Sequence, residues 1–166
     1  TLQYEGLGRR GVLAMNDFVI NSVENVVLVT VNNVKNSAGA LADIFTAIGD
    51  AHINVDMICQ TAPYKDRINL SFSIDNSDLV NTLSVVGGIK KTEPALITEV
   101  NGGNTKITIF SELLKTEWGV AARLFNVLSK NGLHTKLITT SDVEVSILVD
   151  DSDAEKAINV LKEEFN

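Results

Sequence analysis

The chain has a single cysteine, Cys59, among 166 residues, so no internal disulfide can form, and such sparing use fits a reducing cytoplasm. Clustered positive charge is also missing. No run of Lys or Arg exceeds two residues and the net charge is −7, which argues against a nucleic-acid partner. No apolar run nears the ~18 residues a membrane-crossing helix needs, and the first residues do not read as a signal peptide, so no membrane partner is expected. The two histidines, His52 and His134, have no Cys or carboxylate neighbours at metal-ligand spacing, so neither a metal nor a cofactor is expected. What remains is the composition of a folded globular chain, 45% hydrophobic and 21% charged, long enough for one domain or two small ones. The first residue is Thr1 rather than methionine, as expected for a piece of a longer protein.

The most informative feature present is a repeat. Gly39 is followed by Leu41, Ile44, Phe45 and Ile48, the spacing of one apolar helix face. Gly119, Ala121, Leu124, Phe125 and Leu128 reproduce it, each 80 positions on. Alternating strands flank both helices. Val27, Val29 and Val31 precede the first; Ile107 and Ile109 precede the second. Ile53, Val55 and Met57 follow the first helix, Leu133 and Leu137 the second. A third strand, Ile68 to Ile74, answers to Val143 to Val149 at a shift of 75, the difference falling in the turn around Pro63 to Asp66. Further helices are expected over Asp78–Val86 and Asp151–Phe165, the latter opened by Asp150, Asp151, Ser152 and Asp153, whose side chains suit a helix start.

Each unit therefore reads strand, helix, strand, strand, helix, and the first gains a fourth strand near Ala95–Val100. This is the βαββαβ pattern of a ferredoxin-like α+β sandwich, antiparallel sheets with helices on one face. The second unit reaches Asn166 without a fourth strand. Gly11–Ile20 (GVLAMNDFVI) is a spare apolar segment that would pair with Lys106–Phe110 and supply it. The expected domains are 22–100, inserted into 11–21 plus 101–166.

Gly39 to Gln60 (GALADIFTAIGDAHINVDMICQ) resembles the first ACT module of aspartate kinases, with Ile53-Asn54-Val55-Asp56-Met57 and Gln60 standing where that family has an INVDM-like strand ending in glutamine. Leu137 to Val145 (LITTSDVEV) resembles the strand pair of the family's second ACT module. The resemblance spans roughly residues 11 to 166 and implies a pair of ACT modules, the first inserted into the second. It also implies an allosteric, feedback-inhibition role in the cytoplasm: a regulatory region without the kinase domain, sensing an aspartate-family amino acid such as lysine or threonine. Asn36-Ser37-Ala38 replaces the aspartate, basic residue and proline of many members. Ser111-Glu112-Leu113-Leu114 replaces the glycine-rich turn of the second module, Trp118 its proline, and Lys136 matches Asp56.

A free amino acid needs donors for its carboxylate and acceptors for its ammonium. The expected site sets the first N–H groups of a helix, at Asn36, Ser37, Ala38, Gly39, Ala40 and Leu41, against Asn54, Val55, Asp56 and Gln60. Ile53, Val55 and Met57 would share one strand face, leaving Asn54 and Asp56 together on the other. Residue chemistry alone equally allows Gly39 as a tight turn and Asp56 as a solvated charge. Cys59 reads as a small core or interface residue, Trp118 as an interface or pocket-wall aromatic, and Met15 and Met57 as packing.

No catalytic residues are expected. Residues 32 to 38 (NNVKNSA) lack the arginine that an acylphosphatase-type hydrolase would need, and no Ser/His/Asp set can be assembled. Two other readings stand beside the first: another ACT regulator, of the acetolactate synthase small-subunit type, sensing a branched-chain amino acid, and a purely structural dimerisation module. The expected partners are an amino-acid effector, a second copy joined through the apolar edge strands, and a kinase catalytic subunit.

Overall fold

The computed structural model describes residues 17–165. In chain order they form β1 (Val19–Lys35), α1 (Ala38–Asp50), β2 (Ile58–Gln60), β3 (Arg67–Asp75), α2 (Leu79–Thr92), β4 (Ile97–Phe110), α3 (Val120–Lys130), β5 (Leu137–Thr140), β6 (Glu144–Asp150) and α4 (Asp151–Phe165). The strands make one antiparallel sheet in the order β2-β3-β1-β4-β6-β5. Sequence patterning predicts separate sheets; the structure joins them because β1 and β4 each run through both units.

The far half of β1 pairs with β3 and with Ile97–Asn101 of β4, completing the first unit. Its near half pairs Val19 with Phe110, Ile20 with Ile109 and Val23 with Lys106, beside β6. The last two residues of the spare segment thus lie on the second unit's first strand, while its residues 11–16 fall outside the described part. Between the halves, the β1–β4 register slips twice, at Val23/Val26 and Val26/Leu28. Asn25 takes a φ of 60° and Gly103 a φ of 70° at this corner. Both are left-handed values that glycine and asparagine tolerate best, and they let a paired ribbon bend.

One core lies under each helix pair. Val27, Val29, Val31, Ile44, Ile48 and Phe72 build the first; Ile107, Ile109, Leu124, Leu128, Ile147 and Leu161 build the second. Phe45 meets Phe72 edge to face at 6.0 Å. At the position matching Phe72 stands Ile147, which offers no ring, and Phe125 is left exposed; Val120, Leu124 and Leu128 are the residues of α3 that bury, while Ala121 faces out. Phe18 stacks on Phe165 at 4.9 Å, and the Arg123 guanidinium lies 4.8 Å over the Phe165 ring while its Nε donates to Glu164 at 2.8 Å. The Glu164 hydrogen bond, then charge from Glu164 and Glu117, raises the Arg123 pKa. The near end of β1 is thereby fixed to the end of α4.

A third, smaller cluster of Val26, Met57, Leu137 and Leu148, with Leu28 beside it, lies on the side of the sheet away from the helices. Strands β2 and β5 are the two ends of the sheet, yet Cα atoms of the two come within 8 Å. Six strands at about 4.8 Å spacing would hold those ends more than 20 Å apart if flat. The sheet is folded over at the corner, bare face toward bare face.

Some elements differ from their sequence expectation. Helix α2 extends to Thr92, and pairing after α1 begins only at Ile58. Ile53, Val55 and Met57 do not share a face: the first two pack with α1, whereas Met57 joins the bare-face cluster. The cause is a bulge-like pairing in which Asp56 N–H donates to Ser73 O at 3.1 Å and Met57 N–H to Ser73 Oγ at 3.0 Å, so two residues oppose one. Likewise only Leu137 of the pair Leu133/Leu137 lies in a strand. The connection between β2 and β3, residues 61–66, ends in a two-residue turn, Lys65 and Asp66, with φ of 49° and 60° and reciprocal Tyr64–Arg67 hydrogen bonds. Asp66→Gly should stabilise the fold by roughly 1 kcal/mol in urea denaturation, since glycine removes the left-handed penalty there; a loss of stability would contradict this turn.

Candidate ligand site

The helix-start residues and the strand residues singled out from sequence lie around two different cavities. Ser37, Gly39 and Ala40 line a cavity of about 440 Å³ on the helix face, floored by Val34, Ile44, Ile89 and Leu96 and rimmed by Lys35, Asp43 and Glu93. Ser37 caps α1: its Oγ accepts from Ala40 N–H at 3.2 Å, and its carbonyl takes Leu41 N–H at 3.5 Å. Of the four helix-start amides, only those of Ala38 and Gly39 have no partner among the described residues. No side chain crowds Gly39. Asn36, exposed, donates its backbone N–H to Asp66 O at 3.0 Å.

Asn54 and Asp56 line a second cavity, about 200 Å³, together with Val23, Val26, Ser73, Ile74 and Asp75. The two polar residues are indeed side by side, as strand alternation predicts, but on the bare side rather than facing the helix start. Val55 packs with α1, and Gln60 is exposed at the end of β2. Asp75 accepts from Ser77 Oγ at 2.6 Å and Ser77 N at 2.8 Å, which holds its carboxyl below the usual carboxylate range. Two acidic residues and one amide therefore line a single small cavity, an acceptor-rich lining of the kind that suits a cation.

Sequence reading misses a partner of Asp56. Lys106 Nζ, from the second unit, donates to both its carboxylate oxygens at 2.8 and 3.0 Å. Lys106 is 14% exposed and Asp56 50%. Nothing local could have revealed the pair, since the residues are 50 positions apart. Cys59 is exposed on β2 rather than in a core, and Trp118, 96% exposed before α3, lines neither cavity. Among the described residues, no cluster of three His, Cys, Asp or Glu could hold a metal, and no helix is long and apolar enough to cross a membrane.

Comparison with known proteins matches the ACT domain family model to residues 27–87 and again to 107–165. The aspartokinase of Bacillus sp. (strain MGA3) is 36% identical over 142 residues, which are 86% of this chain and 34% of that protein. The chain spans about a third of the length of the curated relatives it matches. Among solved structures, a chain from aspartokinase alpha and beta subunits superposes with a TM-score of 0.80 at 28% identity, covering 89% of this chain and 97% of that one. The ligand-free regulatory subunit of aspartate kinase from Thermus thermophilus gives 0.81 at 21% identity, with the same coverage.

Proposed function

Since this chain belongs to the ACT domain family, we propose that it senses an aspartate-family amino acid, lysine in preference to threonine, as an allosteric regulatory region of the aspartokinase type. The chain is a regulatory region rather than a kinase domain: it matches about a third of its aspartokinase relatives and nearly all of a solved aspartokinase regulatory subunit. The observation that carries the ligand reading is the cavity at Asn54, Asp56 and Asp75. An ammonium group is bound there by a charge-assisted hydrogen bond to Asp56, and lysine, with two ammonium groups, suits two carboxylates better than threonine does. The helix-start group, Asn36 to Leu41, is the alternative seat, with the free amides of Ala38 and Gly39 receiving a carboxylate.

Isothermal calorimetry separates these sites. Losing a hydrogen bond to a charged group costs roughly 1.5–3 kcal/mol, so Asp56→Ala should weaken lysine binding about tenfold to a hundredfold. Gly39→Ala, which meets no clash, should leave it unchanged. Unchanged affinity in Asp56→Ala with a loss in Gly39→Ala would move the site to the helix start. Heat with leucine or valine alone would favour the branched-chain reading; no heat with any amino acid would favour a structural module.

The proposed assembly is a cytoplasmic homodimer joined at the β2 edges, working with a kinase catalytic subunit. Supporting it, β2 ends the sheet and Ile58 is half exposed on it, an apolar edge of the kind proteins seldom leave bare. We assign 22–100 to the first module and 11–21 plus 101–166 to the second, a division supported by the pairing of Val19, Ile20 and Asn21 with Phe110, Ile109 and Thr108.

A further inference from the structure

The repeat places Lys136 where the first module has Asp56, and the backbone agrees. Asp56 N–H donates to Ser73 O, and Lys136 N–H donates to Leu148 O at 2.7 Å, the donor 80 and the acceptor 75 positions on, the two shifts of the repeat. The two positions are structural counterparts of opposite charge. Lys136 Nζ is held by Asn101 Oδ1 and Asn104 Oδ1, both at 2.7 Å, and by Asp150 Oδ1. Asn104 is fully buried and its amide donates to Val26 O and Asn101 O at 3.0 and 2.7 Å, so this cage is completely satisfied. The second module thus supplies its own ammonium. In the first module the corresponding carboxylate also meets an ammonium from this chain, but a less committed one: among the described residues, Asp56 is the only hydrogen-bond partner of Lys106 Nζ.

We propose that Lys106 is a further residue of the ligand site, an internal competitor that an effector's ammonium displaces from Asp56, while Lys136 fills the second module's counterpart permanently. This inference rests on the reading of Asp56 as the ligand anchor. Both lysines are cations, so Lys106 also repels an incoming ammonium until it moves, and its exchange transfers Asp56 from an intermodule contact to the ligand. One effector then binds per chain, and binding releases a tie between the modules.

Calorimetry with L-lysine tests this on the full chain, using Lys106→Met, which keeps the aliphatic stem, and Lys106→Gln as a second neutral variant, each checked for folding by circular dichroism. Removing a partly exposed competing charge should tighten binding about threefold to tenfold. The stoichiometry should be about one per chain in every variant. In the Asp56→Asn background, Lys106→Met should change nothing, because Lys106 acts only through that carboxylate. If Asp56→Asn weakens binding while neither neutral Lys106 variant tightens it, the anchor stands and the competitor role is overturned. If lysine and threonine bind no variant, the anchor reading itself fails and takes the competitor with it. Two effectors per chain would overturn the role given to Lys136.

Discussion

Deleting residues 1–23 should lower the free energy of unfolding by more than about 5 kcal/mol and strip hydrogen-exchange protection from 106–110 and 144–149. Phe18 leaves the second core with it, a burial worth about 1.5–3 kcal/mol. The ladder of Val19–Val23 against Lys106–Phe110 is lost too, at about 1 kcal/mol per hydrogen bond. Such a sum rivals the roughly 5–15 kcal/mol that holds a whole domain folded. The deletion also bares one edge of β4 and the face of Phe165 that Phe18 covers, so aggregation should accompany it. Full protection of 106–110 in the truncated chain would show that this strand does not depend on its neighbour from β1.

Phe72→Ala should cost about 3–5 kcal/mol, the range for removing a large side chain from a packed core. Phe72 has no exposed surface, lies opposite Val29 and Ile58 in the sheet, and makes an edge-type contact with Phe45. The pair geometry adds about 0.5–1.5 kcal/mol beyond area, which alanine also forfeits. Urea denaturation should show a lower midpoint with an unchanged slope. A loss below about 1 kcal/mol would mean the cavity collapses at little cost and that Phe72 is not the centre of the first core.

The repeat was legible because helix and strand periods are local: Leu41 to Ile48 and Leu124 to Leu128 carry their own spacing. The corner was not. Asn25 and Gly103 announce turns, yet only pairing between segments some 80 positions apart turns them into a bend in continuous strands. A shorter separation hid the face of Met57, which depends on a hydroxyl 16 residues away on Ser73. At the candidate site, alternation brought Asn54 and Asp56 together correctly, because the bulge formed by Asp56 and Met57 shifts only the residues after Asp56. The Ser37 cap explains why fewer free amides remain at the helix start than its sequence suggests. Lys106 belongs to a third kind, a contact made only when two separately readable units fold against each other.

The bent ribbon of β1 and β4 leaves the modules without a flexible tether. Two strands hydrogen-bonded on both sides of the corner resist stretching and sliding, because either would break the ladder. Flexing of such a ribbon would concentrate at Asn25 and Gly103, where the register slips, as in a leaf spring creased at one line. Such flexing would change chiefly the opening angle between the bare faces of the two units. The proposed exchange of Lys106 at Asp56 would act along that angle, turning a local contact between the two units into a tilt of one helix pair against the other.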